Sequence, residues 1–211
     1  MHPIEGRGKF VVIDGGDGVG KSTVIKRLKQ EYPEIAYTRE PGGTNFSEAI
    51  RDVLLSDHGS DANVIAMMLG FFSARIDHAE RLIGKALVDG KHVISDRFDA
   101  VTYSYQVYAG RPELEGLFDV LRFQVERFAA PDLYIILDAA PEVTMPRKYQ
   151  MTNTDHFDRR GLEFRNKTRE GFLHFAKKYA ADRHAIIDAS KSPELVYADV
   201  VKTLRSAKLL A

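Results

Sequence analysis

The sequence contains no cysteine among its 211 residues. It therefore forms no disulfide bonds and no thiolate metal sites, which fits a reducing compartment. Basic and acidic residues balance at 30 each, so no overall field draws the chain to nucleic acid or an anionic membrane. No apolar run approaches the roughly 20 residues that span a bilayer, and the N-terminal residues lack the apolar stretch of a secretory signal. We expect a cytoplasmic protein without nucleic-acid or membrane partners.

Two kinds of apolar pattern alternate along the chain. Short runs rich in β-branched residues predict strands, and segments with apolar side chains at helical spacing predict helices. The predicted strands are 9–14, 35–38, 92–95, 133–138 and 185–188, and the predicted helices are 21–32, 46–55, 63–88, 114–128, 141–148, 161–180 and 193–208. This alternation predicts an α/β domain over residues 1–211, with a five-stranded parallel sheet and helices on both faces. Ligands of such sheets lie beyond the carboxyl ends of the strands.

A glycine-rich segment, GGDGVGKS at residues 15–22, follows the first predicted strand and opens a predicted helix. It matches the pattern G-x-x-x-x-G-K-[ST], whose glycines let backbone N–H groups surround a phosphate. Lys21 is expected to reach the β- and γ-phosphates, and Ser22 to bind Mg²⁺. The alternative is an ordinary glycine-rich turn that caps a helix. The predicted ATP-binding residues here are Gly15, Gly16, Asp17, Gly18, Val19, Gly20, Lys21, Ser22 and Thr23.

Two arginines follow predicted strands, Arg39 after the second and Arg97 after the third. A guanidinium binds phosphate through two parallel hydrogen bonds, so these residues suggest a second phosphorylated substrate. The alternative is that they pair with their neighbours Glu40 and Asp96 at the surface. The chain lacks the N-K-x-D motif of a GTPase. The pattern therefore favours a small-molecule kinase over a nucleotide-dependent switch.

Six segments in order resemble those of thymidylate kinases, over essentially the whole chain. They are FVVIDGGDGVGKST, TREPGGT, FFSARIDH, SDRFDAVTYSYQ, DHFDRRGLEFRNKTREGF and HAIIDAS, of which TREPGGT is much more specific than the phosphate loop. The resemblance implies a three-layer P-loop NTPase fold with a short lid at about residues 147–160. It implies transfer of the γ-phosphoryl group of ATP to dTMP, with Mg²⁺ as cofactor, in a homodimer. Another nucleoside or nucleoside monophosphate kinase is the alternative.

The same resemblance implies a dTMP site. Arg39 and Arg97 are expected to hold its phosphate, with Arg51 as a further member of that network. Arg75 is expected to donate to a thymine carbonyl, Phe71 to stack on the base and Thr102 to contact it. Tyr105, with Gln106 beside it, is expected to pack on the deoxyribose and disfavour a 2′-hydroxyl, and Asp17 to approach the 3′-hydroxyl. Core packing is the alternative for Phe71 and Tyr105, and His78 is expected to be a structural hydrogen-bond partner.

Phosphoryl transfer to an ionised phosphate oxygen needs positioning and charge neutralisation rather than a strong base. Lys21, Arg97 and Mg²⁺ supply part of this charge. Gly18 stands where some relatives carry an arginine, so this chain resembles the branch whose lid supplies arginines. His156 stands where many relatives have an arginine, so the lid loses a positive charge there. Arg159 or Arg160 could supply this charge. The alternative is that both only begin a helix at the solvent-exposed surface. The lid candidates are Arg147, Lys148, Arg159 and Arg160, of which Arg147 is expected to bind ATP. The carboxylate expected to hold Mg²⁺ through water is Asp14 or Asp96.

Overall fold

The computed structural model describes residues 6–149, 157 and 160–210, with the side chains of Lys148 and Tyr149 left out. Its centre is a parallel sheet of five strands in the order β2-β3-β1-β4-β5. The strands are β1 Phe10–Gly15, β2 Ala36–Arg39, β3 Val93–Asp96, β4 Leu133–Asp138 and β5 His184–Asp188. The predicted five-stranded parallel sheet is confirmed, with each strand within one residue of its predicted bounds at either end.

Helices follow the strands and cover both faces of the sheet. They are α1 Lys21–Glu31, α2 Asn45–Leu55, α3 Asp57–Ser60, α4 Val64–His78, α5 Lys85–Val88, α6 Asp99–Thr102, α7 Glu115–Glu126, α8 Pro141–Tyr149, α9 Leu162–Tyr179 and α10 Pro193–Ser206. Two π-helical segments, Ala79–Gly84 and Tyr103–Tyr108, and two 3₁₀ turns, Pro112–Leu114 and Ala181–Arg183, complete the description. No helix within these described ranges is long and apolar enough to cross a membrane.

Side chains of β1 alternate between two apolar clusters, as the two-residue period of a strand requires. Phe10 and Val12 pack into the larger cluster with residues of α4, α7 and α9. Val11 and Ile13 pack into the other cluster with residues of α1 and α10. Both clusters are buried, so the sheet is the middle of three layers, as predicted.

The helical prediction differs from the structure in several places, among them the single turn of α3, Asp57–Ser60, which was not predicted. The predicted helix 63–88 is not uniform, because the π-helical segment Ala79–Gly84 lies between α4 and α5. The segment from Asp99 to Tyr108 was not predicted to be helical. Its residues from Tyr103 to Val107 are all buried, so no polar face reveals the helical period in the sequence.

The strand order places the carboxyl end of β1 between those of β3 and β4. The chain leaves β1 into the phosphate loop, residues 15–22, at this central position. Parallel sheets bind ligands where neighbouring connections diverge to opposite sides, beyond the strand ends. The residues that follow β1, β3 and β4 are therefore the ones that can share a site.

Candidate active site

Backbone geometry explains the glycines of the phosphate loop. Gly15, Gly18 and Gly20 have φ angles of 137°, 75° and 94°, a region that glycine enters without steric cost. A Cβ atom on Gly15 would lie 2.3 Å from the Leu137 carbonyl oxygen, and one on Gly18 2.5 Å from that of Thr144. The loop therefore holds its shape only with glycine at these positions.

Lys21 folds back over this loop. Its Nζ donates hydrogen bonds to the carbonyl oxygens of Gly15, at 2.7 Å, and Gly16, at 2.6 Å. Burial, with the nearby charge of Arg97, lowers the pKa of Lys21 to about 8. Asp14 is fully buried below the loop, and burial raises its pKa to about 6 against the opposing charges of Arg97 and Lys21. A nucleotide phosphate would raise the pKa of Lys21 again, because an anion favours the ammonium.

Arg97 lies at the phosphate loop, as predicted. It follows β3 with a left-handed φ of 71°, and its N–H donates to the Ile13 carbonyl oxygen at 3.0 Å. Its guanidinium donates to Asp17 Oδ1 at 2.5 Å, to the Gly15 carbonyl oxygen at 3.2 Å and to Asp14 Oδ1 at 3.3 Å. The sequence left open that Arg97 pairs with Asp96 at the surface. The structure shows these bonds instead, which hold the guanidinium against the phosphate loop.

The structure does not bring Arg39 to the phosphate loop. Its guanidinium donates to Glu48 Oε2 at 3.0 Å and to the Pro41 carbonyl oxygen at 3.1 Å, and its side chain is 48% exposed. The physical reason is the strand order, because β2 is an edge strand that β3 separates from β1. The surface partner is Glu48 of α2, not the adjacent Glu40.

A cavity of about 590 Å³ opens beside the phosphate loop, a typical size for a small-molecule site. It is lined by residues 17–23 of the phosphate loop and helix α1, and by Asp96, Arg97 and Arg147, the last of which was predicted to bind ATP. Arg147 Nη1 donates to the Ala189 carbonyl oxygen at 2.8 Å. Sequence reasoning missed several residues that line this cavity, which we call the donor cavity, among them Arg27, Lys191 and Tyr197. They come from α1 and from the chain after β5, and no motif marks them.

A second cavity, of about 100 Å³, shares Arg97 and Asp17 with the donor cavity. Six of the predicted acceptor residues join Arg97 in lining it: Asp17, Arg51, Phe71, Thr102, Tyr105 and Gln106. The Tyr105 hydroxyl donates to Asp17 Oδ2 at 2.9 Å, and Arg51 Nη1 donates to the Pro41 carbonyl oxygen at 2.7 Å. The ring of Phe157 also lines this acceptor cavity, with its centroid 5.6 Å from that of Tyr105.

Arg75 lies buried behind the acceptor cavity and is 2% exposed. Its Nε donates to Glu40 Oε2 at 2.6 Å, and its Nη2 donates to the Phe98 carbonyl oxygen and to Thr102 Oγ1. Within the part of the chain that the structure describes, its buried Nη1 has no hydrogen-bond partner. Glu40, which the sequence did not single out, also lies 3.0 Å from His78 Nδ1, and His78 Nε2 lies 2.7 Å from Thr38 Oγ1. His78 thus has two structural partners, as expected.

The oxygen groups near the phosphate loop suit Mg²⁺. Ser22 and Asp96 both line the donor cavity, and Asp14 lies below it close enough for its charge to interact with that of Asp96. Within the described part of the chain, no three His, Asp or Glu side chains form a cage for an ion. Mg²⁺ fits this arrangement because it commonly takes one or two protein oxygens and completes its shell with water and phosphate.

The predicted lid lies largely outside the described residues, including Arg159 and His156, and so does the Lys148 side chain. Arg160 is described, and its guanidinium lies 4.4 Å above the Phe164 ring and 5.4 Å from the centroid of the Phe157 ring. The structure therefore places Arg160 on aromatic rings and does not bring it to the phosphate loop.

Comparison with known proteins gives a consistent result. The family model described as thymidylate kinase matches residues 13–200. The chain is 37% identical over 193 residues to a thymidylate kinase of Methylococcus capsulatus, covering 90% of this chain and 91% of that protein. It is 36% identical over 200 residues to one of Neisseria gonorrhoeae, covering 93% and 96%. The crystal structure of thymidylate kinase from Ehrlichia chaffeensis superposes with a TM-score of 0.72 and 27% identity, covering 94% and 99%.

Proposed function

Because the chain belongs to the thymidylate kinase family, we propose that its two cavities hold ATP and dTMP with their phosphates meeting at the phosphate loop. The protein is a phosphotransferase that moves the γ-phosphoryl group of ATP to dTMP, giving dTDP and ADP. One observation carries the placement: Asp17 lines both cavities and accepts hydrogen bonds from Arg97 and Tyr105. The nucleotides therefore approach each other from opposite sides of one residue.

Charge neutralisation is the main task of the site. Lys21 binds the β- and γ-phosphates, and Arg97 exchanges its bonds with Asp14 and Asp17 for the acceptor phosphate. An oxygen of the dTMP phosphate bonds to the γ-phosphorus while the bond to the β–γ bridging oxygen breaks, and its electron pair stays on ADP. No proton has to move, because the attacking oxygen is already ionised.

We infer that the cofactor is Mg²⁺, held by the Ser22 hydroxyl and, through water, by Asp14 or Asp96. When bound, the ion offsets negative charge on the β- and γ-phosphates. Asp14 serves this purpose best above its pKa of about 6, because the carboxylate is then the dominant form.

The thymine end of dTMP is assigned to the inner wall of the acceptor cavity. Phe71 offers a stacking surface, and Thr102 and Gln106 offer hydrogen bonds. Arg75 Nη1 offers a buried donor that has no partner among the described residues. At about 100 Å³ the cavity is smaller than a nucleotide, so we infer that the Phe157 ring withdraws when dTMP enters. Arg39 joins the phosphate network only if dTMP draws it away from Glu48.

We infer that residues 1–211 act as one cytoplasmic kinase domain, with the lid at about 147–160 closing over ATP. We also infer a homodimer. Helix α4 packs against both α2 and α7, and the outer surfaces of these helices expose large apolar side chains. These are Phe46, Val53, Leu69, Val120 and Phe123.

The dimer is tested by sedimentation velocity of Phe123→Asp against Leu195→Asp. Leu195 is similarly exposed, at 57% against 63% for Phe123, but lies on α10. We expect the first variant to be monomeric and the second to keep the wild-type sedimentation coefficient. A wild type that sediments as a monomer at micromolar concentration refutes the homodimer.

The function is tested by supplying ATP with dTMP, dUMP, dCMP, AMP or thymidine and separating the products. We expect dTMP to be the best acceptor, with turnover abolished in Lys21→Ala. Faster phosphorylation of thymidine would instead indicate a nucleoside kinase. ADP formation that does not depend on an acceptor would indicate a nucleotide-dependent switch.

A further inference from the structure

A third, small cavity lies between α9 and the phosphate loop. Its volume is about 20 Å³, enough for a single water molecule. Gly16, Asp17 and Tyr105 are among the residues that line it, and Arg165 and Arg169 lie in the wall formed by α9. Asp17 also lines the donor and acceptor cavities, so this small cavity adjoins the place where the two phosphate chains meet.

The two arginines of this wall are four residues apart, on one face of α9. Arg169 is committed to Asp138, with its Nε 2.7 Å from Oδ1 and its Nη2 2.8 Å from Oδ2. This bidentate pair neutralises its charge and ties α9 to the end of β4. Arg165 stands one turn nearer the N-terminus of the same helix, half-buried against the phosphate loop.

A fixed helix suits this arginine to phosphoryl transfer. Thr168 and Phe172 are buried on the same side of α9, so the helix holds the Arg165 backbone in place before substrates bind. A cation presented in this way loses less conformational freedom on binding than one from a loop.

We propose that Arg165 is a further catalytic residue, which contacts the phosphoryl group in transit from the side opposite Arg97. It supplies the positive charge that His156 does not provide in the lid. As the γ-phosphorus leaves the β–γ bridging oxygen and bonds to an oxygen of dTMP, Arg165 binds the oxygens of the transferring group. This inference rests on the proposed placement of ATP and dTMP.

The test compares Arg165→Met, which removes the charge, with Arg165→Lys, which keeps it. Lys167→Met is the matched control, since Lys167 lies on the same helix, is more than half exposed and pairs only with Glu163 among the described residues. Steady-state rates are measured with dTMP and ATP. Affinities are measured for ADP and dTMP with and without aluminium fluoride, which mimics the transferring phosphoryl group.

We expect Arg165→Met to lower kcat about 100-fold, with each KM changed less than about threefold. Arg165→Lys should recover part of the rate, and Lys167→Met should equal the wild type. Affinity for the aluminium fluoride complex should fall in Arg165→Met while the affinities for ADP and dTMP alone persist. That last readout separates contact with the transferring group from a structural role.

A folded Arg165→Met variant whose kcat lies within about threefold of the wild type overturns the inference. An equal loss of affinity for ADP, for dTMP and for the aluminium fluoride complex also overturns it. If Arg165→Met does not fold, Arg165→Gln carries the same test. An inactive wild type overturns the placement of dTMP and this inference with it. An active wild type with an unchanged variant overturns this inference alone.

Discussion

Replacing Arg97 tests the central electrostatic idea, because its guanidinium joins the phosphate loop to the acceptor cavity. In the absence of substrates it donates to Asp14, Gly15 and Asp17. In the reaction it has to hold the acceptor phosphate and offset charge on the transferring group. An arginine in that role contributes at least about 10³-fold to the rate, or roughly 4 kcal/mol of transition-state stabilisation.

The expected result for Arg97→Ala is therefore a fall of about 10³-fold in kcat/KM for dTMP, measured by direct separation of dTDP. Affinity for ATP in the absence of dTMP should change little. Arg97→Gly is the matched variant, because glycine adopts the φ of 71° without strain. Equal losses in the two variants assign the effect to the guanidinium rather than to the backbone.

The stability of Arg97→Ala should depend on pH more steeply than that of the wild type. The folded pKa of Asp14, about 6, lies above its ordinary value of 3.8. Its favourable contribution is therefore complete below about pH 4 and is lost as pH rises through 6. Arg97 opposes this increase in the pKa, so its removal raises the pKa further. The deficit in Tm should be larger at pH 8 than at pH 5.5.

Either of two results would refute this reasoning. The first is kcat/KM within tenfold of the wild type in both Arg97 variants, which would take the guanidinium out of the acceptor site. The second is a Tm deficit that grows as pH falls, which would mean that Arg97 does not stabilise the Asp14 carboxylate.

Three further predictions follow from single contacts. ATP affinity should fall above pH 8, by up to about tenfold per pH unit, because Lys21 must regain a proton to bind phosphate. Titration calorimetry should show no such fall in Lys21→Arg, because arginine stays charged in this range. Gly18→Val should lower stability by about 1–3 kcal/mol because its Cβ meets the Thr144 carbonyl oxygen, whereas Gly116→Ala, with open space around it, should melt at or above the wild-type Tm. Tyr105→Phe should raise the KM for dTMP about fivefold, because the hydrogen bond to Asp17 is lost. Tyr105→Ala should accept ribonucleotides, whereas Tyr105→Phe should not. Equal acceptance by both variants would mean that the hydroxyl, not the ring, excludes ribonucleotides.

The sequence by itself determined the sheet and the phosphate loop. A buried parallel strand needs a short apolar run, and the loop needs glycines where φ is positive, so both requirements are written locally in the chain. The strand ends could be located for the same reason. The resemblance to thymidylate kinases also named most residues that line the acceptor cavity.

Only the tertiary structure decided which side chains meet. Arg39 and Arg97 look alike in sequence, since each follows a strand. The strand order puts Arg97 beside the phosphate loop and leaves Arg39 at the edge with Glu48. Glu40 lies within bonding distance of both Arg75 and His78, and Arg165 lines a cavity beside the phosphate loop. Neither arrangement can be read from the residues next to them in the sequence. Their neighbours are fixed by sheet order and helix rotation, which depend on contacts between residues far apart in the chain.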